Sequence, residues 1–162
     1  MVLREISLTL PNRPGGLAGV ARALAEQRIN LAAIGADSSP KSGRIRLIVS
    51  DPDRAVRLLA AAGFEPEVRE MLAVRLEDRA GSFLRVLELL ARENVNIQSV
   101  AILVAREGNQ PLVALSADDL PRARRLLQRA GFMSRAAEGL VSNADLLAGA
   151  PTIPDESVGF LL

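Results

Sequence analysis

Cysteine and histidine are both absent from the 162 residues. Without cysteine there is no disulfide, no thiolate nucleophile and no thiolate metal site. Without histidine the commonest general base and metal ligand are gone, and every Ser-His-Asp triad with them. Trp and Tyr are missing too, and the four phenylalanines, Phe64, Phe83, Phe132 and Phe160, are too scattered to form a base-stacking platform. Neither sign of charge dominates: 20 basic and 19 acidic side chains leave a net charge of +1. Nothing therefore pulls the chain toward nucleic acid or an anionic membrane. No segment approaches the roughly 20 apolar residues of a membrane span. Arg4 and Glu5 follow Met1-Val2-Leu3 at once, unlike the apolar stretch of a signal peptide. These absences lead us to expect a soluble cytoplasmic protein. What remains is 49% hydrophobic, enough for a core in one ordinary domain or two small ones.

The chain repeats itself. Ile6, Leu8 and Leu10 are matched 66 residues later by Leu72, Val74 and Leu76. Asn12-Arg13-Pro14-Gly15 is matched by Asp78-Arg79-Ala80-Gly81, and Leu17, Val20 and Leu24 by Phe83, Val86 and Leu90. Ile29-Asn30-Leu31 corresponds to Val95-Asn96-Ile97. Further on, Asp51, Arg54-Ala55, Leu58-Leu59 and Gly63-Phe64 recur as Asp119, Arg122-Ala123, Leu126-Leu127 and Gly131-Phe132, now 68 residues apart. The two-residue change falls between Asp37–Gly43 and Arg106–Gln110, both turn-like, where an insertion is tolerated.

Each repeat reads as the same series of elements. Ile6–Leu10 and Leu72–Leu76 alternate with period two, as half-buried strands do. Leu17, Val20, Ala21 and Leu24 then recur at helical spacing, and Phe83, Val86, Leu87 and Leu90 repeat them. Leu84 and Leu89 widen the second apolar face, which suggests that this helix touches another surface. Leu31–Ala36 and Ile97–Val104 read as second strands. Arg44–Val49 reads as a third, with Ile45, Leu47 and Val49 inward; Val113, Leu115 and Ala117 correspond. Asp51-Pro52 starts a second helix, lined by Leu58, Leu59 and Ala62, and Gly63 ends it. Glu65–Met71 is a fourth strand running straight into Leu72; Met133–Val141 is its weaker match. Helices are expected over Gly16–Arg28, Asp53–Ala62, Ser82–Glu93 and Pro121–Ala130.

The order β-α-β-β-α-β, twice, is the ferredoxin-like split unit. The fold class expected is therefore α+β: two such units, with antiparallel sheets and helices on one face. The first occupies residues 1–70 and the second 71–142. Residues 143–162 form a C-terminal tail with an apolar end, Val158–Leu162. With no linker at Met71-Leu72, the units should pack as one rigid body.

The loop between first strand and first helix carries the chemistry. Gly15 permits a tight turn and close approach of backbone to a ligand. A helix N-terminus offers free N–H groups suited to a carboxylate or phosphate. Asn12 has both donor and acceptor atoms. Asn30 and Asn96 fall just after the first helix of each copy. The same residues also suit a turn, a cap and local backbone hydrogen bonds, so the motif alone leaves both readings open.

The series Asn12-Arg13-Pro14-Gly15-Gly16-Leu17, helix, then Arg28-Ile29-Asn30-Leu31-Ala32-Ala33, resembles the ACT domain, the small-molecule regulatory module of amino-acid pathways. The resemblance spans Met1 to about Ser142, and the first copy is most similar to the form attached to phosphoglycerate dehydrogenase. It implies a tandem ACT protein that binds an α-amino acid at Asn12, Arg13, Pro14, Gly15, Gly16, Leu17 and Asn30. It implies no catalytic residue, no metal and no cofactor. In the second copy Asp78, Gly81, Ser82 and Asn96 stand at the matching positions, with Asp78 for Asn, Ala80 for Pro and Ser82-Phe83 for Gly-Leu. Asp78 would favour an ammonium and repel a carboxylate, so one competent site is expected. ACT modules commonly associate side by side, which implies an intramolecular pair with the first-helix loops at a shared seam, and a homodimer of chains. The competing reading is an interaction protein: a regulatory subunit of a partner enzyme whose ligand sites have decayed. An acylphosphatase-like enzyme would need a longer Gly-Arg-Val-rich loop than the one holding Arg13 or Arg79, an RNA-binding sheet would need exposed aromatics, and a copper chaperone would need cysteine.

Overall fold

A computed structural model describes residues 2–134. The chain runs β1 (Leu3–Pro11), α1 (Gly16–Glu26), β2 (Leu31–Ser38), β3 (Ser42–Val49), α2 (Pro52–Ala61), β4 (Glu67–Arg75), α3 (Ser82–Arg92), β5 (Ile97–Glu107), β6 (Gln110–Ala117) and α4 (Leu120–Arg129). This is the ferredoxin-like series in duplicate, with helices close to their expected spans. The final strand expected over Met133–Val141 begins with an isolated antiparallel bridge, Met133 to Val74. Its remainder, like the tail, lies outside the described residues.

The strands form one six-stranded antiparallel sheet in the order β2-β3-β1-β4-β6-β5. The expected fourth strand of the first unit and first strand of the second are a single strand, β4. Its residues up to Met71 pair with β1, and from Leu72 onward they pair with β6. Because β1 and β4 are antiparallel, with Leu3 opposite Met71, β1 and the second half of β4 run in opposite directions away from this junction. The loops after β1 and after β4 are thus carried to opposite ends of the sheet. The side-by-side arrangement with both loops at one seam does not occur within the chain, because the shared strand dictates the pairing.

Register assigns the faces. Ile6, Leu8 and Leu10 pair with Leu47, Ile45 and Gly43, and these apolar side chains are buried with Val20 and Leu24 of α1 and Ala55 and Leu59 of α2. Leu72 and Val74 pair with Leu115 and Val113 and are buried with Val86, Leu90, Ala123 and Leu127. Residues 68, 70, 72 and 74 alternate onto the same side of β4, so all four helices cover one face of the sheet. The other face curls inward. Leu3, Ala33 and Ile48 of the first unit join Ala73, Leu103 and Ala114 of the second in one buried cluster, and Ser99 on β5 reaches Glu5 on β1. Of the residues thought to widen the α3 face, Leu89 packs partly against the core, whereas Leu84 is 55% exposed.

The repeat extends to its caps. Asp51 accepts from the Arg54 N–H at 3.0 Å and Asp119 from the Arg122 N–H at 2.9 Å, each with proline in the first turn. Asp51→Ala should cost about 1 kcal/mol of stability, the usual worth of such a cap, measured as a lower urea midpoint with unchanged slope. After α1 and α3, Arg28 and Asn94 take the left-handed conformation, at φ 55° and 52°, and stop both helices at the same repeat position.

Arg4 on β1 clamps α2 through a two-pronged pair with Asp53, at 2.7 and 2.8 Å. Hydrogen bonding to Arg4 holds the Asp53 carboxyl below its ordinary value of 3.8. A carboxyl depressed in the folded state stabilises above its unfolded pKa, and that contribution drains away as pH falls through the folded pKa. Urea melts of wild type and Asp53→Asn should therefore differ by a constant amount near neutrality and converge below about pH 4. A gap that persists unchanged into that acid range would assign the difference to something other than this pair.

Candidate ligand site at the strand-to-helix loop

The first loop is built by a sharp turn. Gly15 sits at φ 85°, and Gly81 at φ 83° in the second copy, a conformation that costs a residue with a Cβ about 1–2 kcal/mol. A Cβ at Gly15 would meet nothing within 4 Å. The glycine is thus required by backbone conformation, and in the free chain no close packing demands it. The turn leaves the start of α1 without a side-chain cap. Gly16 donates to the Arg13 carbonyl and Gly19 to the Gly15 carbonyl, while Leu17 and Ala18 N–H find no acceptor among the described residues. These are the free first-turn donors of an ordinary helix, carrying its partial positive charge.

They open beside a cavity of about 180 Å³ between the loop and the β2–β3 hairpin, lined by Asn12, Arg13, Gly16 and Leu17 on one side and by Asp37, Ser38 and Arg44 on the other. Asn12 Nδ2 donates to the Ser39 carbonyl at 2.8 Å, and its backbone N–H reaches the Lys41 carbonyl at 3.4 Å. One end of the side chain therefore pins the hairpin tip to the loop. The amide oxygen accepts no hydrogen bond among the described residues, nor does the Arg13 guanidinium have a partner there. Asp37 holds Arg46 at 3.0 Å. Sequence reasoning passed over Asp37 as part of a turn. The signal available was its place at the end of β2, level with the start of the hairpin facing the loop.

Asn30 does not join this cavity. It follows α1, whose 11 residues separate it from Asn12 by about 16 Å at 1.5 Å per residue. Its backbone is tied to the end of β3: the N–H donates to Ser50 Oγ at 3.0 Å and the carbonyl accepts from Ser50 N–H. Asn96 does the same with Asp118. Both side-chain amides are without partners among the described residues. Pro14 and Gly15 shape the turn without lining the cavity, and Ala32 and Ala33, small residues beside Asn30, are buried in the shared core.

The second loop is wired differently. Asp78 receives Arg106 from β5, and the same Arg106 nitrogen donates to the Asn109 carbonyl at 2.9 Å. An ion pair thus replaces the amide-to-carbonyl bond that Asn12 makes to its hairpin. Arg79, the counterpart of Arg13, pairs with Glu77. Ser82 is buried with its hydroxyl unpartnered, and Phe83 packs partly against the core where Leu17 is 40% exposed. Gly81 repeats the turn of Gly15. Among the described residues no group of three acidic side chains is placed to hold a metal, and no helix is long and apolar enough to cross a membrane.

Duplicated β-α-β-β-α-β units sharing one curled sheet, with an uncapped helix N-terminus at the end of each first strand, define a tandem ferredoxin-like module. The ACT domain pair family matches residues 1–141, and the chain belongs to it. ACT domains are regulatory modules. Among solved structures, a Bacteroides thetaiotaomicron protein is similar at 26% identity, covering 90% of this chain and 96% of its own, with a TM-score of 0.77. The regulatory subunit of aspartate kinase from Thermus thermophilus, in its ligand-free form, shares the fold at 22% identity and a TM-score of 0.57, over 80% of this chain and 92% of its own. The corresponding Thermus flavus subunit matches at 21% identity and a TM-score of 0.56, over 81% and 94%. No curated protein matches the sequence significantly.

Proposed function

We propose that the chain is a non-catalytic sensor that binds an α-amino acid at the first loop and passes the signal on as a regulatory module of amino-acid metabolism. One observation carries this reading: the cavity gathers groups that suit a carboxylate and groups that suit an ammonium. Leu17 N–H and the Arg13 guanidinium, which has no partner among the described residues, line it and suit a carboxylate, with the Ala18 N–H next along the helix. Asp37, one carboxylate oxygen of which holds Arg46, and the Asn12 amide oxygen, which accepts from nothing among the described residues, suit an ammonium. A free α-amino acid presents both groups on one carbon. The second loop, with Asp78 neutralised by Arg106 and Phe83 turned into the core, is the weaker site, so one competent site per chain is expected.

Asn30 reaches such a site only from a second copy, and its unpartnered amide supports a homodimer in which Asn30 of the partner subunit closes the loop. Pairing between chains would thereby replace the seam that the shared strand forbids within one chain. The interaction-subunit reading keeps one specific support: Ile102 and Val104 lie on the free edge strand β5 at 76% and 66% exposure, a surface suited to a partner enzyme.

The test is a thermal-shift panel of the twenty free amino acids, read with an extrinsic dye because Trp and Tyr are absent. An amino acid at about 100 times its dissociation constant should stabilise the fold by about 2.7 kcal/mol, a rise of several degrees in Tm. No shift with any of the twenty at millimolar concentration would overturn the sensor reading and leave the interaction subunit.

A further inference from the structure

The sheet has two free edges, β2 and β5, and its curl brings them together. Between them lies a second cavity, of about 270 Å³, that shares no lining residue with the loop site. Ile34 on β2 and Val100 and Ile102 on β5 form apolar walls, and Glu5 and Arg46 stand in it from β1 and β3.

Both charged groups are under-satisfied. Glu5 is 4% exposed. Its carboxylate offers about four acceptor sites, yet among the described residues its hydrogen-bond partner is the single Ser99 hydroxyl, at 3.3 and 3.4 Å from its two oxygens. One hydroxyl has one proton, so at most one long bond forms. Arg69 lies opposite Glu5 in the β1–β4 register but makes no hydrogen bond among the described residues. Arg46 sends Nη2 to Asp37, while its Nε is buried with no acceptor among the described residues. Buried polar atoms left in this state are costly, and native proteins satisfy them with protein, water or ligand. Here a carboxylate with one long bond and a guanidinium with one nitrogen unsatisfied line one cavity with aliphatic walls.

We infer that the β2–β5 cleft is a second ligand site, distinct from the loop, for a compact aliphatic amino acid in its zwitterionic form. The ammonium meets the Glu5 carboxylate, the carboxylate takes the Arg46 Nε–H, and the side chain lies on Ile34, Val100 and Ile102. The ligand bridges the free edges of the two units and holds the curl closed. Asp37 connects the two sites, since it lines the loop cavity and grips the Arg46 guanidinium. Occupancy of either site thus acts on the same ion pair.

Calorimetric titration with L-alanine, L-valine, L-leucine, L-isoleucine and L-methionine tests this. The full chain is compared with Arg13→Ala, Glu5→Gln, Arg46→Gln and Ile102→Glu. Glu5→Gln keeps the volume and the Ser99 contact, and Ile102 is so exposed that its substitution leaves folding intact while placing a carboxylate at the cleft mouth. At least one of the five should bind Arg13→Ala normally, weaken tenfold or more in Glu5→Gln and Arg46→Gln, and weaken likewise in Ile102→Glu. Isobutylamine and isovalerate, which each lack one charge of valine, should bind far more weakly than L-valine if valine is the occupant. Failure of all five to bind Arg13→Ala, or binding indifferent to Glu5 and Arg46, would overturn the site and leave a cleft filled by water. Loss of all binding in Arg13→Ala alone would refute the cleft while upholding the loop.

Discussion

Leu72→Ala should lower the stability of the whole molecule by about 2–5 kcal/mol, the range for a leucine cut back in a packed core, and lower Tm by roughly 4–20 °C. Leu72 is 1% exposed and lies in the shared core. It is also the residue at which β4 passes from one unit to the other, pairing with Leu115 while its neighbour Met71 pairs with Leu3. The loss should therefore appear as one transition displaced to lower temperature. The units cannot separate without exposing Leu3, Ala33 and Ile48, which are buried with Ala73, Leu103 and Ala114. Scanning calorimetry of this variant with two resolved peaks, one of them at the wild-type position, would show that the halves unfold independently and would contradict the single-body account.

The duplication, both helix pairs and the strand-to-helix loops were legible because each burial pattern has its own period. Leu17, Val20 and Leu24 repeat at helical spacing, and Ile6, Leu8 and Leu10 at strand spacing, whatever lies across from them. The inward face was hidden for the same reason. Leu3, Glu5, Ala33, Ile48 and Ser99 occupy the positions that alternation assigns to solvent, and only their meeting with the other unit buries them. One trace of it lay in the sequence: Met71 to Val74 is apolar at four successive positions, as in a strand buried on both faces. The merging of two strands into β4 left no mark, because a change of pairing partner needs no turn residue. At the loop, Asn12, Arg13, Gly16 and Leu17 are adjacent in the chain, and they line one cavity. Asp37 reaches the same cavity across the sheet, which adjacency does not show, and Asn30 lies outside that cavity because a helix length stands between.

Arg13→Ala should leave Tm of the free protein unchanged within about 0.5 kcal/mol of stability, since the side chain has no partner among the described residues to lose. It should weaken amino-acid binding by about 1.5–3 kcal/mol, roughly 10- to 150-fold, the worth of a hydrogen bond to a charged group. That combination separates a ligand contact from a structural one. Arg79→Ala in the second loop, where the cation is already paired with Glu77, should change affinity little. Equal losses from the two substitutions would mean that the loops bind alike, against the reading of one competent site. A fall in Tm with unaltered affinity in Arg13→Ala would remove Arg13 from the site.

The central claim is that the uncapped start of α1 receives the carboxylate of an amino acid. Amide NMR of the labelled chain, titrated with an amino acid that raises Tm of the wild type but not of Arg13→Ala, tests it most directly. The account predicts that the Leu17 and Ala18 amide resonances move and saturate together with the side-chain amide of Asn12, while Phe83 and Leu84 at the start of α3 stay nearly fixed. Leu17 and Ala18 resonances that remain in place at saturating ligand would contradict it.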